Sequence, residues 1–363
     1  MNYVFLMFLL IKKKTIKRKR MSLIRIYENE LPADDFRVPI PDEIFRKHLL
    51  EEHSIEHDGK TVAYGDIKDV TEIDCSAFYD DAIDKSTLWD IQSLEGIEYF
   101  TALEELRCSG NQLTSLDVSM NTYLTHIECD CNKLTNLDVS QNTALTYLSI
   151  DFNNLTRLDV SQNIALEELY CSSNQLTSLD LSQNTVLISL SCSDFQLTNL
   201  DISQNTALTS LCIGLNNLTS LDVSQNTAIE VLDCGSNKLA SLDVSQNTAL
   251  TYLSIGLNNL TSLDISQNTA LEELYCAGNQ LTSLDMSNNT ALTSLSCSKN
   301  QLTSLNVSQN TALEELYCVG NQLTSLDLSS NPSLAFIHFE GNPGDWWEQL
   351  DTIRKRESRK RYL

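Results

Sequence analysis

The side chains with the most obvious chemical potential in this sequence are its eleven cysteines. Nine of them share one position of a repeated pattern: Cys75, Cys108, Cys129, Cys171, Cys192, Cys234, Cys276, Cys297 and Cys318. Regularly spaced thiols can form disulfides, bind a soft metal ion or pack as small apolar groups. The spacing lacks C-x-x-C pairs, and isoleucine replaces cysteine at residues 150, 213 and 255. We therefore favour free, buried thiols, with disulfides and a metal site as the alternatives.

The sequence does not assemble an evident catalytic set. Its five histidines are scattered: His48, His53 and His57 lie near the start, and His126 and His338 lie at opposite ends of the repeats. No serine or cysteine has an identifiable base and orienting partner, and no glycine-rich phosphate loop is present. We therefore expect a non-enzymatic protein with no catalytic residue, no metal ligand and no cofactor.

The cysteine spacing belongs to a 21-residue pattern that repeats eleven times without a gap from Leu103 to Ser333. The copy at residues 166–186 reads LEELYCSSNQLTSLDLSQNTV. A period of about 20–29 residues with L-x-x-L-x-C-x-x-N-x-L is typical of a leucine-rich repeat. One copy has too few apolar residues to close a core, so adjacent copies must stack and bury their leucine columns against each other.

The alternation of apolar and polar residues around each cysteine predicts one short strand per turn. The expected fold is an α/β repeat, a right-handed leucine-rich repeat solenoid. It has a parallel β-sheet on the concave face, little helix in the repeats, and small helical caps at both ends. Two asparagine columns, residues 111 to 342 and 121 to 331, predict turns whose amide side chains bond the backbone of neighbouring turns. The first column is interrupted once, by Phe195.

The chain divides into four predicted segments. They are an N-terminal tail, partly disordered, at 1–38; an N-terminal cap with the first irregular turns at 39–102; the repeat array at 103–343; and a C-terminal helical cap with a basic tail at 344–363. In the N-terminal cap, Asp42 precedes apolar residues at helical spacing, which predicts a helix there. The Asp58-Gly59 turn has too few carboxylates at the spacing of a calcium loop, so we expect no ion site in the cap.

The net charge of −24 is unevenly distributed. Residues 12–20 hold seven basic residues and 354–361 hold six, which leaves 12 basic and 47 acidic residues in 21–350. This acidic body should repel nucleic acid and attract a partner with a basic surface. The apolar run from Tyr3 to Ile11 is about half the length of a membrane span, and its charges follow rather than precede it. The sequence therefore predicts no transmembrane span and a cytoplasmic chain, with Met21 as an alternative start.

The outward positions of the predicted strands place tyrosines beside glutamates. One group is Tyr147, Glu168 and Tyr170, and a second is Tyr252, Glu273 and Tyr275. The two groups are 105 residues apart because a five-turn block has been duplicated. Glu315 and Tyr317 form a further pair. Tyrosine buries area with few rotatable bonds, so we predict two similar partner-binding patches. The alternative is that tyrosines merely suit exposed strands and were copied by the duplication.

The full repeat, L-x-x-L-x-C-x-x-N-x-L-T-x-L-D-[VIL]-S-x-N-T-x-L, resembles the cysteine-ladder repeats of bacterial internalin-like surface proteins over about residues 103–343. The resemblance implies a recognition, adhesion or adaptor protein that is secreted or held at the cell surface, in contrast to the cytoplasmic expectation above. We expect protein–protein recognition on the concave face. A carbohydrate-binding role and a passive surface spacer are the alternatives.

Overall fold

A computed structural model describes residues 32–77 and 90–344 of the chain. The predictions for the tail before residue 32 and for the helix and basic segment from residue 345 onward lie outside the described residues. No helix in the described ranges has the length and apolar character needed to cross a membrane.

The N-terminal region combines a two-stranded antiparallel sheet with a helix. Strands β1 (Arg37–Pro39) and β2 (Thr61–Ala63) are antiparallel, and helix α1 (Glu43–His53) lies between them in sequence. A short helix α2 (Tyr64–Ile67) follows β2, and a 3-10 helix (Ile97–Tyr99) leads into the repeats. Val38, the middle residue of β1, is fully buried in the core.

Helix α1 starts where the sequence predicts it, at the N-cap residue Asp42. One carboxylate oxygen, Oδ1, accepts hydrogen bonds from Ile44 N at 2.9 Å and Phe45 N at 3.0 Å. The other, Oδ2, accepts from Gln92 N at 2.8 Å and Ser93 N at 3.1 Å. Asp42 therefore satisfies the free amides of the helix and ties the helix to the segment that enters the array.

The repeats form one parallel sheet of thirteen strands in sequence order. Its strands are β3 (Glu72–Asp74), β4 (Glu105–Arg107), β5 (His126–Glu128), β6 (Tyr147–Ser149), β7 (Glu168–Tyr170), β8 (Ser189–Ser191), β9 (Ser210–Cys212), β10 (Val231–Asp233), β11 (Tyr252–Ser254), β12 (Glu273–Tyr275), β13 (Ser294–Ser296), β14 (Glu315–Tyr317) and β15 (Phe336–His338). From β4 onward every residue pairs with the one 21 positions later, so side chains line up in straight rows along the solenoid. No helix separates consecutive strands from β4 to β15, all of which the structure describes. This confirms the stacked solenoid with little helix in its turns.

The core is built from the leucine columns and the cysteine column. All nine thiols of that column are fully buried, and all eleven cysteines of the chain are free. Burial raises the pKa of the Cys276 thiol to about 12 and that of Cys171 well above its ordinary value. These thiols are protonated and pack as small apolar groups, as the isoleucine replacements indicate.

Both asparagine columns form hydrogen-bond ladders inside the turns. In the first, Asn132 Nδ2 donates to the carbonyl oxygens of Cys108 and Cys129, and Asn132 Oδ1 accepts from Leu113 N at 3.0 Å. In the second, Asn142 Nδ2 donates to Val118 O at 3.0 Å and Asn121 O at 2.8 Å. The ladders thus satisfy buried backbone groups that the short strands leave open.

Candidate functional site

The sheet exposes two rows of side chains, from the first and third residue of each strand, because the middle residue points into the core. The neighbouring strands β6 and β7 pair Tyr147 with Glu168 and Ser149 with Tyr170. The two tyrosines are therefore diagonal neighbours, one in each row. This diagonal arrangement brings together the residues that the sequence groups as one patch.

The N-terminal tyrosine patch consists of Tyr147, Glu168 and Tyr170. The ring centroids of its tyrosines are 5.6 Å apart. Tyr170 Oη donates a hydrogen bond to Glu168 Oε2 at 2.7 Å, and it lies 3.3 Å from Ser189 Oγ. The carboxylate thus holds the phenol of its own strand, which fixes both side chains against the sheet.

The C-terminal tyrosine patch, Tyr252, Glu273 and Tyr275, repeats this geometry five turns later. Its ring centroids are 5.5 Å apart, and Tyr275 Oη donates to Glu273 Oε2 at 2.7 Å. The duplication therefore copied the side-chain arrangement as well as the residue types.

The third predicted pair is built differently. Tyr317 Oη donates to Glu315 Oε2 at 3.2 Å, but the diagonal position on β13 is Ser294, so no second tyrosine is present. Instead, the ring of His338 stacks on Tyr317 with centroids 5.2 Å apart. His126 likewise stacks on Tyr147, at 4.2 Å and an interplanar angle of 6°. The sequence grouping omitted both histidines, although their place one turn away from a tyrosine in the same row is a signal that could have found them.

The tyrosine phenols are held in their protonated form. Burial, together with the negative charge of Glu128, raises the pKa of Tyr147 to about 12. Burial also raises the pKa of Tyr252 and Tyr275, with Asp233 and Glu273 respectively as nearby negative charges. Each phenol therefore remains a hydrogen-bond donor near neutral pH.

The positive charge of Arg107, near the N-terminal end of the sheet, is paired with carboxylates. Arg107 on β4 forms ion pairs with Glu72 and Glu105, each at 2.7 Å, and lies 3.5 Å from Glu128. His126 Nε2 also lies 2.7 Å from Glu128 Oε1. Among the described residues, no group of three or more histidine, cysteine or acidic side chains is placed to hold a metal ion.

Comparison with known proteins gives the family. The family model for leucine-rich repeats matches residues 269–310, which is two copies of the repeat. The functional domain of InlJ from Listeria monocytogenes, which includes a cysteine ladder, is 35% identical over 86% of this chain and 73% of that chain, with a TM-score of 0.72. This chain belongs to the internalin-like leucine-rich repeat proteins.

Two further solved structures share the fold of this internalin-like protein. A leucine-rich repeat protein of Leptospira interrogans is 29% identical over 72% of each chain, with a TM-score of 0.68. The internalin InlF of Listeria monocytogenes has a TM-score of 0.78 at 22% identity, covering 87% of this chain and 95% of that chain. No curated protein sequence matches the chain. The internalin-like fold makes the chain a protein-interaction module in general terms.

Proposed function

We propose that the chain recognises a protein partner with a basic surface, and that the N-terminal and C-terminal tyrosine patches are its anchoring points. The observation that carries this proposal is the repeated pairing of Tyr170 with Glu168 and of Tyr275 with Glu273, each at 2.7 Å. Such a pair offers an aromatic surface, a fixed carboxylate and little conformational entropy to lose on binding.

The charge of the sheet face supports a basic partner. The outward positions of the thirteen strands carry eight carboxylates: Glu72, Asp74, Glu105, Glu128, Glu168, Asp233, Glu273 and Glu315. Arg107 is their one lysine or arginine, and its charge is paired with Glu72 and Glu105. A face of one sign steers an oppositely charged partner and discriminates against acidic ones.

A displayed library of random peptides, selected on the wild-type chain, tests this proposal. We expect the enriched peptides to contain lysine or arginine and to bind more weakly as salt rises. The double variant Tyr170→Ala/Tyr275→Ala should lose at least tenfold in affinity, since an aromatic anchor contributes about 2 kcal/mol.

The matched control is Ser191→Ala/Ser296→Ala, which trims outward residues one strand further along, in the same row. It should bind like the wild type. Both double variants should keep the wild-type thermal midpoint, because the tyrosines are only half-buried. Equal affinity of the tyrosine variant and the wild type would rule the patches out as anchoring points. Failure to enrich any peptide would favour the passive-spacer alternative.

A further inference from the structure

A third hydrogen-bond ladder runs along the residues that follow the cysteine column. In it, a side-chain oxygen accepts from the backbone N–H of the equivalent residue one turn later. Ser109 Oγ accepts from Asp130 N at 3.0 Å, and Asp130 Oδ1 accepts from Asp151 N at 2.7 Å. Asp151 Oδ1 accepts from Ser172 N at 2.5 Å, and Ser172 Oγ accepts from Ser193 N at 3.1 Å. In these turns the chain's own oxygen covers each amide.

The ladder stops after Ser193 N and resumes at Val319 N. Of the five equivalent amides between them, Gly235 N donates to Asp233 Oδ1, and Gly214 N has no acceptor among the described residues although Ser193 carries a hydroxyl one turn earlier.

The backbone N–H groups of Gly256, Ala277 and Ser298, which we call the open amide row, have no hydrogen-bond acceptor among the described residues. All three residues are half-buried rather than enclosed. The cause lies one turn earlier each time, where Gly235, Gly256 and Ala277 provide no side-chain oxygen.

The duplicated half shows what would satisfy this row. Gly256 is the five-turn counterpart of Asp151, and Ala277 is the counterpart of Ser172. A Cβ atom added to Gly256 would lie 3.8 Å from Ala277 N, next to that amide, and 3.1 Å from Ala277 O, a close contact that requires a small shift of the backbone. The chain's own structure thus contains the same amide position bound to a carboxylate in one half and uncovered in the other.

The open amide row lies beside outward residues that carry no charge. It borders Ser254, Tyr275 and Ser296, the third residues of their strands. Lys299, which directly follows Ser298, is exposed. The carboxylate of Glu273 is engaged by Tyr275 Oη, and that of Asp233 by Gly235 N at 3.0 Å.

We propose that the open amide row binds a carboxylate group of the partner, beside the C-terminal tyrosine patch. Hydrogen bonds from amides to a carboxylate are charge-assisted, and aligned N–H dipoles favour an anion. The inference deepens the proposed function, because it gives the basic partner one acidic group at this position.

Amide NMR spectra of the full chain test the proposal directly. The probes are two acetylated and amidated tetrapeptides, one with alternating glycine and glutamate and one with glutamine in place of glutamate. We expect the glutamate peptide at low millimolar concentration to shift the amide protons of Gly256, Ala277 and Ser298 downfield, and the glutamine peptide to leave them unmoved. The amide of Ser172, already bound to Asp151, provides an internal reference for the shifted position.

The variant Gly256→Asp/Ala277→Ser supplies the oxygens that the N-terminal half carries at Asp151 and Ser172. It should abolish the response of the amides at residues 277 and 298, and it leaves the amide of residue 256 open. The variant should fold, because Asp151 and Ser172 occupy the same positions five turns earlier and Gly256 does not need a left-handed backbone. The charge-matched control is Leu257→Asp, at an exposed residue with a left-handed backbone. The three amides of this variant should still shift when the glutamate peptide is added.

Equal shifts with both peptides, no shift with either, or a response at residues 277 and 298 that survives Gly256→Asp/Ala277→Ser would each overturn the carboxylate assignment. A parallel titration with a short hexuronic acid oligomer distinguishes the two sources of a carboxylate. A larger amide shift per mole from the peptide supports a protein source. A larger shift from the oligomer overturns the protein source in favour of an acidic saccharide. The random-peptide selection depends on the tyrosines and not on these amides, so the proposed function can fail or stand independently.

Discussion

The backbone N–H of Gln196 lies 3.5 Å from the carbonyl oxygen of Leu176, whereas the equivalent distances from Gln175 to Leu155 and from Asn217 to Leu197 are 2.8 Å. The difference coincides with Phe195, which replaces an asparagine of the first ladder. Leu155 N and Leu197 N donate to Asn174 and Asn216, but Leu176 N has no acceptor among the described residues. The turns are therefore held together less firmly at this one point.

Hydrogen exchange should reveal this weak point. We expect the amides of Leu176 and Gln196 to exchange faster than those of Leu155 and Gln175, because a local opening there breaks fewer hydrogen bonds. The variant Phe195→Asn should slow both amides by restoring the acceptor for Leu176. Amide exchange followed by NMR or mass spectrometry measures this, and uniform protection across residues 155–217 would contradict it.

Removing the Asp42 carboxylate should loosen the N-terminal region. Asp42→Ala leaves four backbone amides without their acceptor, two in α1 and two at Gln92 and Ser93. Loss of the helix cap alone costs about 1 kcal/mol, and we expect roughly 2 kcal/mol in total because a second segment is released. Chemical unfolding followed by far-UV circular dichroism measures the loss. Asp35→Ala, at an exposed residue, is the control. An equal loss of unfolding free energy in the two variants would contradict the role of Asp42 in joining helix α1 to Gln92 and Ser93.

Asp151 should make stability depend on pH. Burial and the charge of Asp130 raise its pKa from 3.8 to about 6 in the folded chain. A raised folded pKa means that the folded state holds the proton more tightly, so this contribution to stability is full below about pH 3.8 and is lost as pH rises through about 6. Asp151→Asn should therefore raise the thermal midpoint at pH 7.5 and change it little at pH 4.

The exposed Asp159 serves as the comparison for Asp151, because its pKa is shifted in the opposite direction. Hydrogen bonds from Ser161 lower the pKa of Asp159, chiefly the bond from the backbone amide and to a smaller extent the bond from the hydroxyl. Its stabilising contribution is present above its unfolded pKa and is lost as pH falls through the lowered value. Asp159→Asn should lower the midpoint at pH 7.5, opposite in sign to Asp151→Asn. The same sign for both variants would refute the distinction.

The thiols should divide into two classes towards alkylating reagents. Cys131 is exposed and Cys212 half-buried, while the nine thiols of the column are buried. In the folded chain we expect Cys131 to react first and Cys212 more slowly. Burial and the nearby Asp130 raise the pKa of Cys131, so it should be slower than a free thiol. Mass spectrometry after timed alkylation counts the modified sites, and fast labelling of Cys171 or Cys234 would contradict the packing of the column.

The fold was predictable because its information is repeated. Each leucine and asparagine column repeats one residue type on nearly every turn, and the cysteine column repeats a small apolar group, cysteine or isoleucine. Backbone pairing between neighbouring turns then determines the rest. The tyrosine patches were predictable from alternation along the strands, which places the first and third residues on one face. By contrast, the tie from Asp42 to Gln92 and Ser93 joins segments 50 residues apart with no pattern between them.

The third ladder was not predictable for a different reason. Its acceptor is a hydroxyl in some turns, a carboxylate in others and missing at Gly256, so no column of one residue type marks it. The left-handed turn residue that follows is equally variable, with Cys131, Phe152 and Leu257 among its members. The backbone dictates the conformation there, and the side chain is free to differ because it points outward.

The register of the sheet also fixes the distance between the two tyrosine patches as a whole number of turns. Five rungs at about 4.8 Å separate the two tyrosine patches by about 24 Å, with no flexible linker between them. A ligand that displays its basic determinant twice at this interval would engage the second patch intramolecularly, with a gain that two independent weak contacts lack. The solenoid would then act as a ruler, selecting multivalent ligands by their periodicity as much as by their chemistry.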